Sequence, residues 1–134
     1  MFSAMLLVIS TVALAQFAVY YWRAVVAGVA GEPISGEVLA AARLESATLC
    51  GRDFRALVKL HDLTPDLERK ASNLGLVRCY YQLIHAVGMM AAGRFAAVAN
   101  WAERERTLCA RYAAVQVDRR QQSNLALAAA IRSC

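Results

Sequence analysis

The chain has 134 residues, of which 59% are hydrophobic, and it carries 15 Lys and Arg against 10 Asp and Glu, a net charge of +5. Because basic and acidic residues are interspersed and form no basic block, the composition argues against nucleic-acid binding, and we expect no nucleic-acid partner. The chain contains only two prolines, and no stretch alternates between apolar and polar residues as a half-buried strand does. The sequence therefore predicts an all-α protein with one small domain besides its amino-terminal segment.

Residues 1–31 form the most apolar segment of the chain. Residues 2–22 contain no formal charge, and at a helical rise of about 1.5 Å per residue they span the roughly 30 Å of a bilayer's hydrocarbon layer. Aromatic side chains that favour the headgroup level, and an arginine that can extend outward, end this run: Tyr20, Tyr21, Trp22 and Arg23. We expect one transmembrane anchor helix over 1–31, with these four residues at the membrane interface and the lipid bilayer as a partner.

A cleaved signal peptide is the alternative interpretation of this segment. Ala13-Leu14-Ala15 has the small-x-small form that precedes a signal-peptidase site. However, no positive side chain precedes the apolar run, and the run continues past that site. We therefore expect the helix to be retained as an anchor.

Residues 32–36 interrupt the helical pattern, and residues 37–134 make up the predicted helical domain. Pro33 disfavours a helical conformation at the residue before it, and a helix over roughly 36–50 follows. Apolar residues then recur at helical spacing on one face, namely Phe54, Leu57, Val58 and His61. We expect a small antiparallel bundle of about three to four helices.

The second half of this domain contains the clearest helix boundaries. Thr64-Pro65-Asp66 favours a helix start, because Thr caps a helix and Pro suits its first position, and we expect that helix to run to about Met90. A turn near Gly93 leads into a last helix over roughly 95–131. Within it, the charged residues 103–106 indicate a turn that meets water or a polar partner.

Residues 80–101 also allow a different interpretation, a second membrane span. Their single charge is Arg94, and an arginine at the centre of a span costs about 2.5–3.5 kcal/mol on insertion scales. Gly88, Gly93 and several alanines lower the hydrophobicity further. We therefore expect a helical hairpin that turns at Gly93.

The four cysteines are the only cluster of reactive residues. They form no C-x-x-C motif and neither histidine lies at ligand spacing from them, so we expect no metal and no cofactor. A turn at Gly93 places Cys79 and Cys109 at the same height on antiparallel helices, so they can form a disulfide if both side chains face the seam. Cys50 would then pair with Cys134. A 50–79 pairing, and buried free thiols, are the alternatives.

The orientation in the membrane follows from two opposing observations. Arg23 is the charge that flanks the anchor, and the positive-inside rule then favours a cytoplasmic domain. The even number of cysteines favours an oxidising compartment instead. The abundance of Ala and Arg suggests a bacterial source, so we expect a bacterial inner-membrane protein with its domain on the outer, periplasmic side.

No catalytic motif is present, since the chain lacks a phosphate-binding glycine loop, G-x-S-x-G and H-E-x-x-H, and we expect no enzyme. The helices after residue 64 carry more apolar surface than a lone hairpin buries, which predicts an interaction surface of Leu76, Tyr80, Leu83, Val87, Met90, Phe95, Val98 and Trp101. We expect an accessory or assembly subunit that contacts other membrane proteins or copies of itself. The alternatives are a filament or ring subunit with the apolar helix in its core, and a protein that binds an apolar ligand beside His85.

Overall fold

The computed structural model describes residues 2–41, 49–65 and 73–133, and every regular element in these ranges is helical. In chain order the elements are α1 (Phe2–Ala30), α2 (Gly36–Ala41), a 3₁₀ helix (Gly51–Asp53), α3 (Phe54–Leu63), α4 (Leu74–Ala91) and α5 (Ala96–Ser133). The predicted fold class is therefore confirmed: one long apolar amino-terminal helix is followed by a helical bundle.

The middle of α5 is the centre of the bundle. Eight of the ten residues from Cys109 to Asp118 are buried, and several of them are small, including Ala110, Ala113 and Ala114. Short side chains let neighbouring helices approach on more than one side. As a result α1, α2, the 3₁₀ helix, α3 and α4 all pack on α5.

The helix α1 has two parts that differ in their surroundings. The side chains of residues 2–21 are exposed along the whole length of this part. From residue 22 onward the helix packs on α5, where Val26 and Ala30 are buried and Trp22 and Val29 lie against the core. The last two turns of the predicted anchor are thus part of the folded domain.

The break after α1 is also fixed to α5. Glu32 forms a two-pronged ion pair with Arg119, in which Arg119 Nε donates to Glu32 Oε2 over 3.1 Å. The Ser35 hydroxyl donates to the buried carboxylate of Asp118. Earlier in the chain, Arg23 on α1 pairs with Glu105 on α5. The contacts therefore advance along both segments in the same direction, and α1 runs parallel to α5.

The helices α3 and α4 run in opposite directions on the other sides of α5. The backbone carbonyl of His61, near the end of α3, accepts a 2.8 Å hydrogen bond from Arg120, whereas the 3₁₀ helix before α3 lies against Arg106. Hence α3 is parallel to α5. The helix α4 reaches α5 through a tight turn and is therefore antiparallel to it.

The turn between α4 and α5 confirms the predicted hairpin. The first helix ends at Ala91, the second begins at Ala96, and Gly93 between them has a φ of +81°, a left-handed conformation that favours glycine. Residues 80–101 therefore do not form one continuous span. The face of α4 that packs inward carries Leu74, Val77, Tyr81 and Ile84.

The region before α4 agrees with the sequence in part. The predicted face of α3 is buried at all four positions, Phe54, Leu57, Val58 and His61. The hydroxyl of Thr64 donates to the Leu60 carbonyl over 2.8 Å, so Thr64 ends α3, and the first turns of the helix expected from Thr64 fall on residues 66–72, outside the described residues. Of the helix expected over 36–50, residues 36–41 form α2, residues 42–48 are not described, and residues 49–50 are not helical.

Close packing of the 3₁₀ helix on α5 makes a first prediction. A Cβ atom added at Gly51 would lie 2.6 Å from the Arg106 Cβ, so one of the two elements must move. We expect Gly51→Ala to lower the free energy of unfolding by about 1–3 kcal/mol, the usual cost of overpacking. Denaturant titration in detergent micelles, followed by far-ultraviolet circular dichroism, measures this change.

Gly75 in α4 provides the matched control, because no atom lies within 4 Å of the position of an added Cβ. Since alanine favours a helix by up to about 1 kcal/mol over glycine, Gly75→Ala should leave stability unchanged or raise it. Equal stabilities of the two variants would contradict the packing described for Gly51.

Candidate functional site

A buried carboxylate joins three helices at one level of the bundle. Glu105 on α5 is 2% exposed, and its Oε1 lies 2.5 Å from a guanidinium nitrogen of Arg23 on α1. Its Oε2 accepts a 2.9 Å hydrogen bond from the Tyr80 hydroxyl on α4. A buried carboxylate needs such partners, because burying an unpaired charge is strongly unfavourable. This cluster therefore fixes the positions of α1 and α4 along α5.

The cluster changes the protonation behaviour of its neighbours. Burial, and next the hydrogen bond to Glu105, raises the pKa of Tyr80, so its hydroxyl keeps the proton that it donates. Cys109 lies one helical turn after Glu105, and burial together with that carboxylate raises the pKa of its thiol to about 12. Because the thiolate is the reactive form, Cys109 is unreactive at neutral pH and acts as a small apolar core residue.

The structure does not bring together the predicted pair Cys79 and Cys109. Cys109 is buried and Cys79 is exposed, and both are free thiols. Two residues before Cys79, Val77 is fully buried, so Cys79 points away from the seam with α5. The condition for a 79–109 disulfide, that both side chains face the seam, is not met. Cys50 is exposed and Cys134 lies outside the described residues, so a 50–134 pair stays a prediction.

The four residues expected at the membrane interface divide into two pairs. Tyr20 and Tyr21 are exposed on α1. Trp22 packs against the domain core, and Arg23 forms the ion pair with Glu105. The structure thus gives Arg23 a role within the protein that the sequence did not indicate.

The predicted interaction residues lie on the surface of the α4–α5 hairpin. On α4 they recur four and three residues apart and form one line, here called the α4 stripe: Leu76, Tyr80, Leu83, Val87 and Met90. Leu76 and Leu83 are each 61% exposed and Met90 is 72% exposed, while Tyr80 and Val87 are half-buried. Phe95 in the turn, and Val98 and Trp101 on α5, are exposed as well. Six of the eight predicted interaction residues are thus exposed.

The buried Glu105 is the residue that sequence reasoning missed. The charged residues 103–106 predicted a turn in water, but only part of that turn is exposed. The signal was its spacing, since Glu105 lies four residues after Trp101 and seven before Tyr112, at the helical spacing that places all three on one face. A charge on such a face predicts a buried partner of opposite charge.

A cleft of about 280 Å³ opens between α3 and α4. The stacked rings of Phe54 and Tyr81, with centroids 4.2 Å apart, form one wall, and Arg55 and Arg78 line the same cleft. The Nδ1 atom of His85 is buried at the cleft and has no hydrogen-bond partner among the described residues. An apolar molecule with one polar group fits such a lining.

Charge neutralisation at Glu105 makes a second prediction. Glu105→Gln keeps an acceptor for Tyr80 but leaves Arg23 without its counter-charge and buries an amide in place of the carboxylate. We expect the free energy of unfolding to fall by about 1–3 kcal/mol. Glu103→Gln is the control: its half-exposed carboxylate pairs with Arg106 at the surface, and exposed pairs contribute less than about 1 kcal/mol. Equal losses in denaturant titrations of the two variants would contradict the role of Glu105.

Comparisons with protein-family models, with curated proteins and with solved structures find no match. Among the described residues, no group of His, Cys, Asp and Glu is arranged to hold a metal ion. In the same part of the chain one helix, α1, is long and apolar enough to cross a membrane; its place near the amino terminus is also where a signal sequence lies.

Proposed function

We propose that the protein is a non-enzymatic, single-pass membrane protein whose helical domain contacts other proteins, as an accessory or assembly subunit of a membrane complex. The observation that carries this proposal is the α4 stripe, an apolar line on a folded helix in which Leu76, Leu83 and Met90 are exposed. The bilayer and other membrane proteins, or copies of the chain itself, are its proposed partners.

The location in a membrane is supported by the first twenty residues of α1. Their side chains are uncharged, mostly apolar and exposed, and no described element of the domain covers them. A helix satisfies its own backbone hydrogen bonds, so this part suits a hydrocarbon layer. The part of α1 that packs on α5 supports retention of this helix in the mature protein. Val26 and Ala30 are buried there, and Arg23 forms the ion pair with the buried Glu105.

Contact with another protein is supported by the spacing of the α4 stripe. Apolar residues four and three positions apart form the seam through which two helices pack. Another face of α4 already packs on α5, and the stripe lies beside that face. Within the stripe, Tyr80 reaches Glu105 on α5, whereas Leu83 and Met90 are exposed. A helix with a matching apolar line therefore fits this surface.

The proposal also includes the side of the membrane on which the domain lies. We assign the domain to the outer, periplasmic side of a bacterial inner membrane because the chain has an even number of cysteines, four in all. The exposed Cys79 gives a direct probe, since a membrane-impermeant maleimide added to intact cells reaches it only on that side.

Binding of a small ligand is a second candidate function, supported by the cleft between α3 and α4. Its aromatic wall suits an apolar molecule, and the unpartnered Nδ1 of His85 can bond one polar group. Native mass spectrometry of the detergent-released protein tests this candidate, and a mass equal to that of the chain alone counts against it.

Site-specific photocrosslinking in the cells of origin tests the proposed function. A benzophenone amino acid at position 83 lies on the α4 stripe, and the same group at position 63, an exposed leucine on α3, is the control. We expect a discrete crosslinked species from position 83 in the membrane fraction and none from position 63.

The mass of the crosslinked species identifies the partner. A product of twice the chain's mass favours the alternative of a self-assembling filament or ring, whereas a product with a different protein supports an accessory subunit. The proposal fails if position 83 gives no crosslink and the detergent-extracted protein runs as a lone monomer.

A further inference from the structure

The cluster around Glu105 defines a common level for three helices. Arg23, which pairs with Glu105, is the first charged residue after the apolar run of α1. The Tyr80 hydroxyl bonds the same carboxylate from α4. If α1 spans a bilayer, the level of Glu105 is therefore the level at which the chain leaves the hydrocarbon layer.

The helix directions determine what lies on the membrane side of this level. Because α1 is parallel to α5 and α4 is antiparallel, three segments extend from it in one direction: α1 before Arg23, α5 before Glu105, and α4 after Tyr80. At about 1.5 Å per residue, the α4 segment reaches roughly 16 Å beyond the level. That distance is about half the thickness of a hydrocarbon layer.

The other described elements that pack on α5 lie at this level or on its opposite side. The 3₁₀ helix lies against Arg106, and α3 extends from it toward Arg120. The carbonyl of Pro65, after α3, accepts a 2.9 Å hydrogen bond from Asn124, still further along α5. Among the described elements, only α1 and the tip of the α4–α5 hairpin project toward the membrane.

The hairpin tip has the composition of a lipid-facing segment. From residue 80 to residue 101 the single formal charge is Arg94. Large apolar side chains near the tip are exposed, with Met89 at 67%, Met90 at 72% and Phe95 at 64%. At the other end of α5, the polar sequence Arg-Arg-Gln-Gln follows Asp118, and an apolar run over 125–131 comes after it. The projecting end of the hairpin thus carries exposed apolar side chains and a single formal charge.

Aromatic residues occur at the matching height on each of these helices. Tyr20, Tyr21 and Trp22 come just before Arg23 on α1, Tyr80 reaches Glu105 from α4, and Trp101 lies one turn before Glu105 on α5. Tyrosine and tryptophan favour the boundary between headgroups and acyl chains. Their common height agrees with a membrane boundary at the Glu105 level.

Three backbone donors of the turn are paired within the hairpin, as a hydrocarbon environment requires of them. The N–H groups of Ala92, Arg94 and Phe95 donate to carbonyls of the preceding residues, over 3.0, 3.1 and 3.0 Å. Backbone donors without partners are excluded from lipid, and these three have partners inside the hairpin.

We infer that the tip of the α4–α5 hairpin, residues 83–101, enters the same leaflet as α1 and is surrounded by acyl chains. This inference rests on the proposed membrane location of α1. It places the stripe residues Leu83, Val87 and Met90 in the lipid layer. A partner protein that binds this part of the stripe then contacts it within the bilayer. Transfer of the Arg94 charge into the hydrocarbon layer opposes insertion, whereas transfer of the exposed apolar side chains around it favours insertion.

Spin-label depth measurement tests this inference on the full chain in phosphatidylcholine–phosphatidylglycerol vesicles. Cys109 is replaced by alanine and the other native cysteines by serine, and a nitroxide is attached at Met90→Cys or, in a second variant, at Phe95→Cys. Leu14→Cys on α1 and Leu63→Cys on α3 are exposed reference positions on the two sides of the Glu105 level. Circular dichroism of each variant checks that the helical content is unchanged.

Accessibility to oxygen, which concentrates in acyl chains, is compared with accessibility to a water-soluble nickel complex. We expect positions 90 and 95 to favour oxygen as position 14 does, and position 63 to favour nickel. If positions 90 and 95 favour nickel while position 14 favours oxygen, the inference is overturned and the anchor stands. If position 14 also favours nickel, the proposed membrane location of α1 fails with it.

Discussion

Close packing around the middle of α5 is the constraint on which the rest of the structure depends. Small side chains such as Ala110, Ala113 and Ala114 let helices approach this segment from several sides. Such a site has little room for polar groups, and the two carboxylates that it contains are both paired. Glu105 binds Arg23 and Tyr80, while Asp118 accepts hydrogen bonds from Ser35 and Gln122. These two carboxylates fix the end of α1 and the segment after it in register with α5.

This register places two apolar segments at the same end of the molecule. The free part of α1 and the hairpin tip extend from the Glu105 level toward one end, and both are apolar. The charged residues of α3 and of α5 beyond Asp118 lie toward the other end. A domain docked on its own long apolar helix in this way has a defined height relative to that helix. The proposals of a membrane location, a contact surface on the α4 stripe and an inserted tip all depend on that fixed height.

Local pattern was sufficient to predict the elements but not their contacts. The apolar run of α1, the buried face of α3, and the turn at Gly93 follow from hydrophobicity, helical spacing and glycine chemistry, which act over a few residues. The pairing of Arg23 with Glu105 joins distant parts of the chain, so no local pattern contains it. On α4 apolar residues occur on more than one face, and only packing on α5 determines which face is buried. Because Val77 and Tyr81 face α5, Cys79 points away from Cys109. The two cysteines nevertheless lie at similar heights along the hairpin, as the sequence predicted.

The last part of α1 belongs to the core of the domain, and the fixed height of the domain depends on this packing. Amide hydrogen exchange of the full chain in lipid vesicles, measured by mass spectrometry, tests it most directly, because exchange reports the stability of each helix segment. We predict that residues 24–30 exchange as slowly as residues 109–118 of α5. Exchange of residues 24–30 at the rate of a solvated linker, while 109–118 stay protected, would contradict the claim.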